Sequence, residues 1–359
     1  MNRRNVRRFC VGLVIFAVCV RALYARSARP PEPELPQPQV WVVELLAQQT
    51  PRSRLRPPEP DEPEQPEQAQ AEATEPEQTE PEQTQPEQAQ PEQTQTPSFP
   101  RGGALLFTPQ EAEAVTISGG CSYTVDKAAL LMQPTELDFS EPGPKVLIVH
   151  THSSEAYTQE VGWFYEESDL LRTENAAFSV IRVGEALAQR LEERGIEVVH
   201  DTALNDYPAY DGAYERMRLT IEQYLAQYPS IRMVVDVHRD AAVYPDGSQV
   251  AFTQTVNGEP CAQIMLVAGT DEGGLEHPGW QENLALMVKL HALIEREAPG
   301  LCRSIDLRTE RFNQHETPGS MLVEFGSTGN TLAEALRSAD YFAQALCALI
   351  ESCGEAEIQ

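Results

Sequence analysis

Short apolar segments alternate with amphipathic helical patterns along this chain, and this alternation limits the fold more than any other feature of the sequence. The apolar segments have the length and composition of buried strands, and the clearest are VLIVH (146–150), IRMVVDVH (231–238) and SMLVEFG (320–326). The helical patterns cover 174–195, 211–229, 280–300 and 331–352. Strands that alternate with helices predict a three-layer α/β sandwich with a largely parallel sheet.

Polar side chains of the types that bind metals or transfer protons lie at the ends of these three strands. His150 and His152 follow the first strand, His238 ends the second, and Glu324 lies near the end of the third. The carboxyl ends of parallel strands meet at one edge of a sheet, where the active sites of such folds gather. We therefore expect these side chains to lie close together in one functional site.

Zinc chemistry explains this set of residues best. A catalytic zinc ion takes three protein ligands and leaves a fourth position open. His152 and Glu155 come from one loop and His238 from another strand end, so these three are the predicted ligands of one Zn²⁺ ion. Glu174, at the start of the first predicted helix, is an alternative carboxylate ligand. Its competing role is a favourable interaction with the helix dipole.

The remaining residues near the strand ends are assigned to supporting or proton-transfer roles. His150 lies on the same side of an extended strand as His152, so it is predicted to orient the site from behind the ligands. Arg239 is predicted to support the site or contact substrate, with a structural ion pair as the simpler role. A carboxylate inside an apolar strand is costly to bury without a partner or a function. Glu324 is therefore the predicted general base, which takes a proton from the attacking water and returns it to the leaving amine.

The amino-terminal part of the chain has a different character from the rest. Residues 1–26 begin with arginines and continue with an apolar run, which predicts a cytoplasmic tail and a single-pass signal anchor. The alternative is a cleaved, released form. Residues 27–100 are rich in Pro, Glu and Gln and predict a disordered linker. Residues 101–359 are then the zinc-binding domain, with a catalytic core over about 144–352 on the outer side of the membrane.

The charge of the chain excludes one class of partner. The chain has 27 Lys and Arg residues against 55 Asp and Glu residues, for a formal net charge of −28. Such an acidic protein repels nucleic acid, so we expect no DNA or RNA partner. The seven cysteines include no C-x-x-C pair, so they predict no thiolate metal site.

Five segments together resemble the successive motifs of one protein family. They are VLIVHTHSSEAY, DYPAYDGAYERM, VVDVHRDA, HPGWQENLALMVKL and FNQHETPGSMLVEFGSTGNTLAEA. In this order, from about residue 102 to 350, they resemble the stage II sporulation protein P family. The resemblance implies an N-acetylmuramoyl-L-alanine amidase-like fold and zinc-dependent cleavage of the amide between the glycan and the stem peptide of peptidoglycan. It also implies cleavage of peptide cross-links as a further activity, and a supporting or substrate-contacting role for Asn313.

The resemblance further implies where such a protein works. Members act during engulfment in sporulation, anchored in the cell membrane with the catalytic domain between mother cell and forespore, together with proteins D and M of the same stage. Two alternatives from other functional classes stay open. One is a catalytically inactive module that keeps the fold and binds peptidoglycan or serves as an envelope scaffold. The other is a zinc peptidase that cuts peptide bonds only.

Overall fold

The computed structural model describes residues 39–40 and 105–354. The predicted membrane anchor, 1–26, lies outside the described residues, as does the predicted linker, 27–100, apart from residues 39–40. Within the described part of the chain, no helix is long and apolar enough to span a membrane. The predicted domain boundaries therefore stay predictions.

The strands and helices follow the predicted alternation. The strands are β1 Gln39–Val40, β2 Ile117–Gly119, β3 Val146–Val149, β4 Val198–His200, β5 Met233–Asp240, β6 Ala242–Val243, β7 Thr253–Val256, β8 Glu259–Ala262, β9 Ile264–Gly269, β10 Ile305–Arg308 and β11 Ser320–Ser327. The helices are α1 Glu111–Ala114, α2 Lys127–Met132, α3 Val180–Glu193, α4 Ala213–Gln227, α5 Trp280–Glu297 and α6 Leu332–Gly354. Short 3₁₀ turns cover Ala176–Phe178 and Gln314–Glu316.

One seven-stranded sheet organises the domain, in the order β2-β10-β9-β11-β5-β3-β4. Neighbouring strands are parallel except at the boundary between β9 and β11, which are antiparallel. The prediction of a largely parallel sheet is confirmed. The sheet nevertheless consists of two parallel halves that run in opposite directions, a reversal that the strand patterns did not indicate. β2 lies at one edge, so the folded unit extends upstream of residue 144.

Helices cover both faces of the sheet, as three layers require. On one face α3, α5 and α6 contribute to the larger hydrophobic core, which includes Val146 and Ile148 of β3. On the other face Met217 of α4 packs with Leu147 and Val149 of the same strand. We call this second face the α4 face. Successive strand residues alternate between the two faces of the sheet. A shift of one residue in register would therefore move the apolar side chains of each face to the opposite face.

Local sequence signals explain the turns that flank these elements. The Asn257-Gly258 pair, which is a strong hairpin turn signal in the sequence, joins β7 to β8 with φ values of 52° and 86°. The predicted helix start at residue 174 is wrong, because α3 begins at Val180. Asn175 instead caps a 3₁₀ turn, and the hydroxyl of Ser179 accepts a hydrogen bond from the backbone of α3.

Candidate metal centre and active site

Two strands bring predicted site residues to the α4 face of the sheet. Val234 of β5 lies on this face, and His238 lies on the same face four residues further along the strand. Leu322 of β11 packs with Tyr214 of α4, and Glu324 lies two residues further on. The Cα atoms of Glu324 and His238 are direct partners in the parallel register. The pairing therefore sets these two side chains side by side.

A turn beyond β3 carries the other two residues into the site. Asp206 holds the turn in place, because its carboxylate accepts hydrogen bonds from the hydroxyl of Ser153 at 2.8 Å and from the amide of Ser154 at 3.0 Å. The amide of Glu155 donates to the carbonyl of His152 at 3.1 Å. His152 and Glu155 therefore lie together on one tight turn.

His152, Glu155 and His238 form a compact group of possible metal ligands. One ligand atom from each residue can be chosen so that all three lie within 4.8 Å of one another. Nδ1 of His152 is 3.7 Å from Oε1 of Glu155, and Nδ1 of His238 is 3.3 Å from Oε2. The three residues are between 3% and 5% exposed. Among the residues that the structure describes, no other group of three His, Cys, Asp or Glu side chains meets this criterion.

The donor set fits a zinc ion. Tetrahedral zinc with bonds of about 2.0–2.1 Å places its ligand atoms roughly 3.3 Å apart, close to the separations from Glu155 to the two imidazoles. Nε2 of His152 is buried without a hydrogen-bond partner. Buried polar atoms are normally satisfied, so unsatisfied ones indicate a missing partner such as an ion or a water molecule. Two imidazoles and one carboxylate are a ligand set that zinc accepts.

Positive charge keeps Glu155 ionised. Burial alone would raise the pKa of its carboxyl, but Arg239, His238 and His152 together hold that pKa well below its usual range. The backbone amide of Arg239 donates to Oε2 of Glu155 at 3.1 Å, and its Nη1 lies 3.8 Å from Oε1. Arg172 also reaches within 3.8 Å of Oε1. Glu155 is thus charged and available to a cation.

Two carboxylates flank His238. Nδ1 faces Glu155, and Nε2 forms an ion pair with Oδ1 of Asp236 at 2.9 Å. Burial would lower the pKa of His238, but Asp236 and Glu155 raise it well above its usual value. Asp236 is itself held by the amide and hydroxyl of Thr151, at 2.8 and 2.6 Å. A histidine with one nitrogen toward a carboxylate and the other toward a metal is a common arrangement in zinc sites.

Glu324 has the environment of an acid–base group rather than that of an ion-paired side chain. Its Oε2 atom is buried and has no hydrogen-bond partner. Burial raises the pKa of Glu324 well above its usual value, and the negative charges of Asp240 and Glu155 raise it further, against the opposing charge of His238. A carboxyl with a raised pKa exchanges protons more readily near neutral pH.

Aromatic rings cover His152 on two sides. Tyr210 stacks on it with ring centroids 4.4 Å apart and planes 18° apart, and Tyr214 meets it edge-on at 5.4 Å. The guanidinium of Arg172 lies 4.8 Å from the centre of the Tyr210 ring and pairs with Asp206 at 2.8 Å. The loop that carries Tyr210 therefore forms a wall of the candidate site.

Comparison with known proteins places the chain in a family. The family model for stage II sporulation protein P matches residues 39–347, which is most of the chain. This chain belongs to the stage II sporulation protein P family. Stage II sporulation protein P of Bacillus subtilis (strain 168) is 28% identical over 206 residues, which are 54% of this chain and 48% of that protein. The chain thus matches about half the length of this curated relative.

Two solved structures resemble this member of the stage II sporulation protein P family at low similarity. One is the N-acetylmuramoyl-L-alanine amidase AmiC2 of Nostoc punctiforme, with 16% identity and a TM-score of 0.31 over 59% of this chain and 97% of that one. The other is the CwlD amidase from Clostridioides difficile in complex with the GerS lipoprotein, with 13% identity and a TM-score of 0.30 over 58% and 95%. At these TM-scores the likeness supports no conclusion about activity.

The structure separates the sequence-predicted residues of this family member into two sets. His152, Glu155 and His238 lie together, with Glu324 beside His238 in the sheet. The alternative ligand, Glu174, is exposed and outside this group. His150 does not share the side of His152, because β3 ends at Val149 and the alternation stops there. The ring of His150 instead lies against α3, where its Nε2 is 2.9 Å from Nε2 of His200.

Arg239 and Asn313 have supporting contacts rather than free side chains. The Arg239 guanidinium donates to the carbonyls of Ala156 and Leu171, and it approaches Glu155 rather than Asp240. Arg239 therefore pairs with Glu155, and Asp240 pairs with Arg303 instead. Asn313 donates from Nδ2 to the carbonyl of Tyr214 at 2.8 Å. It thus contacts the backbone of a residue whose ring meets His152, and its predicted supporting role stays a prediction.

Sequence analysis missed Asp236, Tyr210 and Tyr214. Asp236 had a visible signal, because it is charged, interrupts an apolar strand and lies two residues before His238 on the same face. The tyrosines had no such signal, because they lie in DYPAYDGAY, far along the chain from HTHSSE. Only the folded chain brings them to His152.

Proposed function

We propose that this protein is a zinc-dependent cell-wall hydrolase that cleaves the N-acetylmuramoyl-L-alanine amide of peptidoglycan. The observation that carries the proposal is the buried group of His152, Glu155 and His238, with the unpaired carboxyl of Glu324 next to it. A structural core has no reason to keep two imidazoles and two carboxyls together with unsatisfied atoms, because each such atom destabilises the fold by about 1–3 kcal/mol.

Each residue has a distinct role in the proposed reaction. His152, Glu155 and His238 would hold the ion, with Asp236 facing the second nitrogen of His238. Bound there, Zn²⁺ would supply Lewis acidity toward the carbonyl and activate water for attack. Glu324 takes a proton from the attacking water and delivers it to the nitrogen that leaves.

Family membership supports the proposed substrate and place of action. This chain carries the motifs of the family. Through the resemblance, these motifs imply cleavage between the glycan and the stem peptide and additional cleavage of peptide cross-links. The proposal includes anchoring of the chain through residues 1–26 in the cell membrane and action during engulfment in sporulation, with proteins D and M of the same stage as partners. The acidic, proline-rich residues 27–100 would separate the domain from the membrane.

One experiment tests this function against its alternatives. The purified 359-residue chain is assayed for bound metal and then incubated with peptidoglycan, and the products are separated by chromatography and mass spectrometry. We expect about one zinc ion per chain and release of free stem peptides from intact glycan strands. Cross-link cleavage alone would indicate a peptidase. Wall binding without any cleavage would indicate an inactive module and contradict the proposal.

The same assay tests the choice of carboxylate ligand. Glu155→Ala should lose zinc, because the carboxylate that faces both imidazoles is removed. Glu174→Ala is the matched control and should keep zinc, because Glu174 is exposed and outside the group. Full zinc content in Glu155→Ala would contradict the ligand assignment.

A further inference from the structure

Tyr214 has a buried hydroxyl without a visible purpose in the fold. The residue is 7% exposed, and its hydroxyl oxygen has no hydrogen-bond partner. Burying an unpaired hydroxyl costs about 1–3 kcal/mol, so proteins rarely keep one where phenylalanine would serve. An unpaired hydroxyl in a candidate active site therefore points to a partner that is present only during the reaction.

The position of Tyr214 indicates which partner this is. Its ring meets the ring of His152 edge-on, with centroids 5.4 Å apart. It also packs with Leu322 of β11 and Met265 of β9. Met265 is the direct register partner of Glu324, and Leu322 lies two residues before Glu324 on the same face. Tyr214 thus contacts both a predicted metal ligand and the sheet residues next to the predicted base.

Contacts with the ring and with the backbone of Tyr214 restrict its movement. Phe312 packs against it with centroids 5.8 Å apart. Nδ2 of Asn313 donates to the carbonyl of Tyr214 at 2.8 Å, which ties the start of α4 to the chain before β11. A donor that is already oriented loses little entropy when its acceptor forms, which is the condition for effective stabilisation of a transition state.

We propose that Tyr214 is a catalytic residue whose hydroxyl donates a hydrogen bond to the oxygen of the scissile amide as that oxygen gains negative charge. This inference rests on the proposed amidase function. Tyr214 keeps its proton throughout, while a C–O bond to the attacking water forms and the C–N bond breaks. The proton released by the water passes through Glu324 to the leaving nitrogen. Removing one such donor from an oxyanion site typically lowers the rate by about 10²–10³-fold.

A second tyrosine provides a comparison. The hydroxyl of Tyr157 is also buried and unpaired, and that residue is 1% exposed. Tyr157 belongs to the larger core, whereas Tyr214 packs in a separate small cluster on the α4 face with Met265 and Leu322. If the catalytic role depends on where the hydroxyl lies, removal of the Tyr214 hydroxyl should lower activity. Removal of the Tyr157 hydroxyl should not.

The test uses three Tyr→Phe variants of the whole chain: Tyr214→Phe, Tyr157→Phe and, as a matched control, Tyr224→Phe. Tyr224 also lies on α4 but packs at the edge of a different cluster, away from His152. For each variant we would measure zinc content, thermal stability, kcat and KM on muropeptides. Calorimetry would measure binding of a muramoyl peptide whose scissile amide is replaced by a tetrahedral phosphinate.

We expect Tyr214→Phe to lower kcat by roughly 10²-fold with little change in KM, and to weaken phosphinate binding by a similar factor. Its zinc content should stay at the wild-type value and its stability should not fall, because the lost hydroxyl has no partner in the fold. Tyr157→Phe and Tyr224→Phe should bind the phosphinate like the wild type.

Three results would overturn the inference. Wild-type turnover and phosphinate affinity in Tyr214→Phe would show that the hydroxyl does not act on the reacting oxygen. An equal loss of activity in Tyr157→Phe would show that the position of the Tyr214 hydroxyl does not matter. A loss of zinc in Tyr214→Phe would show that its lower activity comes from metal loss. If the wild type itself neither cleaves peptidoglycan nor binds the phosphinate, the proposed function fails and the inference fails with it.

Discussion

His150 and His152 are two residues apart in the chain and lie in opposite environments. Nδ1 of His150 is 3.0 Å from the carbonyl of Val237 and its Nε2 is 2.9 Å from Nε2 of His200, so both nitrogens have partners. Nε2 of His152 has none. Both residues are almost fully buried, at 0% and 3% exposure. Burial therefore does not distinguish these two histidines, whereas unmet hydrogen-bonding capacity does.

The His150–His200 pair behaves as a neutral, structural unit. Burial lowers the pKa of His150 to about 3 and that of His200 to about 4, so both rings are uncharged at neutral pH. The carbonyl of Val237 can only accept, so Nδ1 of His150 carries its hydrogen and its Nε2 accepts from His200. The pair joins the end of β3 to β4 and to the residue that precedes His238.

The largest effect expected from this comparison is on metal binding. His152→Ala and His238→Ala should each lose zinc while the domain stays folded, because each removes one of three predicted ligands. His200→Gln is the control and should keep zinc, since the His200 ring bonds to His150 and not to a predicted ligand. Metal analysis with circular dichroism checks this. Full zinc occupancy in either alanine variant would place the metal elsewhere.

The next effect concerns the rate. Glu324→Gln keeps the shape of the side chain but cannot carry the proton from water to the leaving nitrogen. We expect zinc content and glycan binding to be retained and the rate to fall by roughly 10²-fold or more. Single-turnover assays on muropeptides measure this. Near-normal turnover would leave the mechanism without its base, and joint loss of zinc, stability and activity would make Glu324 structural.

A smaller effect is expected on the structural side of the comparison. A Cβ atom at Gly184 of α3 would lie 2.6 Å from Nε2 of His150 and 2.8 Å from Nε2 of His200. Contacts this short belong to the upper part of the overpacking range, about 2–3 kcal/mol, partly offset by about 1 kcal/mol from the higher helix propensity of alanine. Gly184→Ala should therefore destabilise the domain by about 1–2 kcal/mol in urea unfolding.

A surface change on the same helix is the control for Gly184→Ala. Glu185→Ala alters an exposed neighbour and should change stability by less than about 0.5 kcal/mol. If Gly184→Ala proved as stable as the wild type, the imidazoles of His150 and His200 would have moved away from the added methyl group without cost. They would then not form the rigid pair described above.

The smallest effect is on the pH dependence of stability. The pKa of His200 falls from about 6.5 unfolded to about 4 folded, so the unfolded chain binds more protons between these values and stability falls as pH falls through this window. His200→Gln removes one such group. Its loss of stability between pH 6.5 and 5.5 should be smaller than that of the wild type by about 1 kcal/mol. Urea unfolding at both pH values measures the difference, and equal losses would show that His200 titrates normally in the folded state.

Much of the fold and part of the site were predictable from the sequence. The period of the apolar residues predicted the main strands, the helices and the hairpin at Asn257-Gly258, because each depends on local spacing or turn chemistry. The strand ends predicted His152, His238 and Glu324 as neighbours for the same reason. The short strands β2 and β10 were missed, because three or four residues carry too little pattern.

The sequence by itself determined that strand ends carry two imidazoles and two carboxylates to one edge of a sheet, because burial of alternate residues imposes a period that can be read along the chain. Only the tertiary structure decided which nitrogens remain without partners. It also decided that β9 and β11 run in opposite directions and that Tyr214 and Asp236 border the site. These features depend on contacts between segments far apart in the chain, and no local period encodes the distance between such segments.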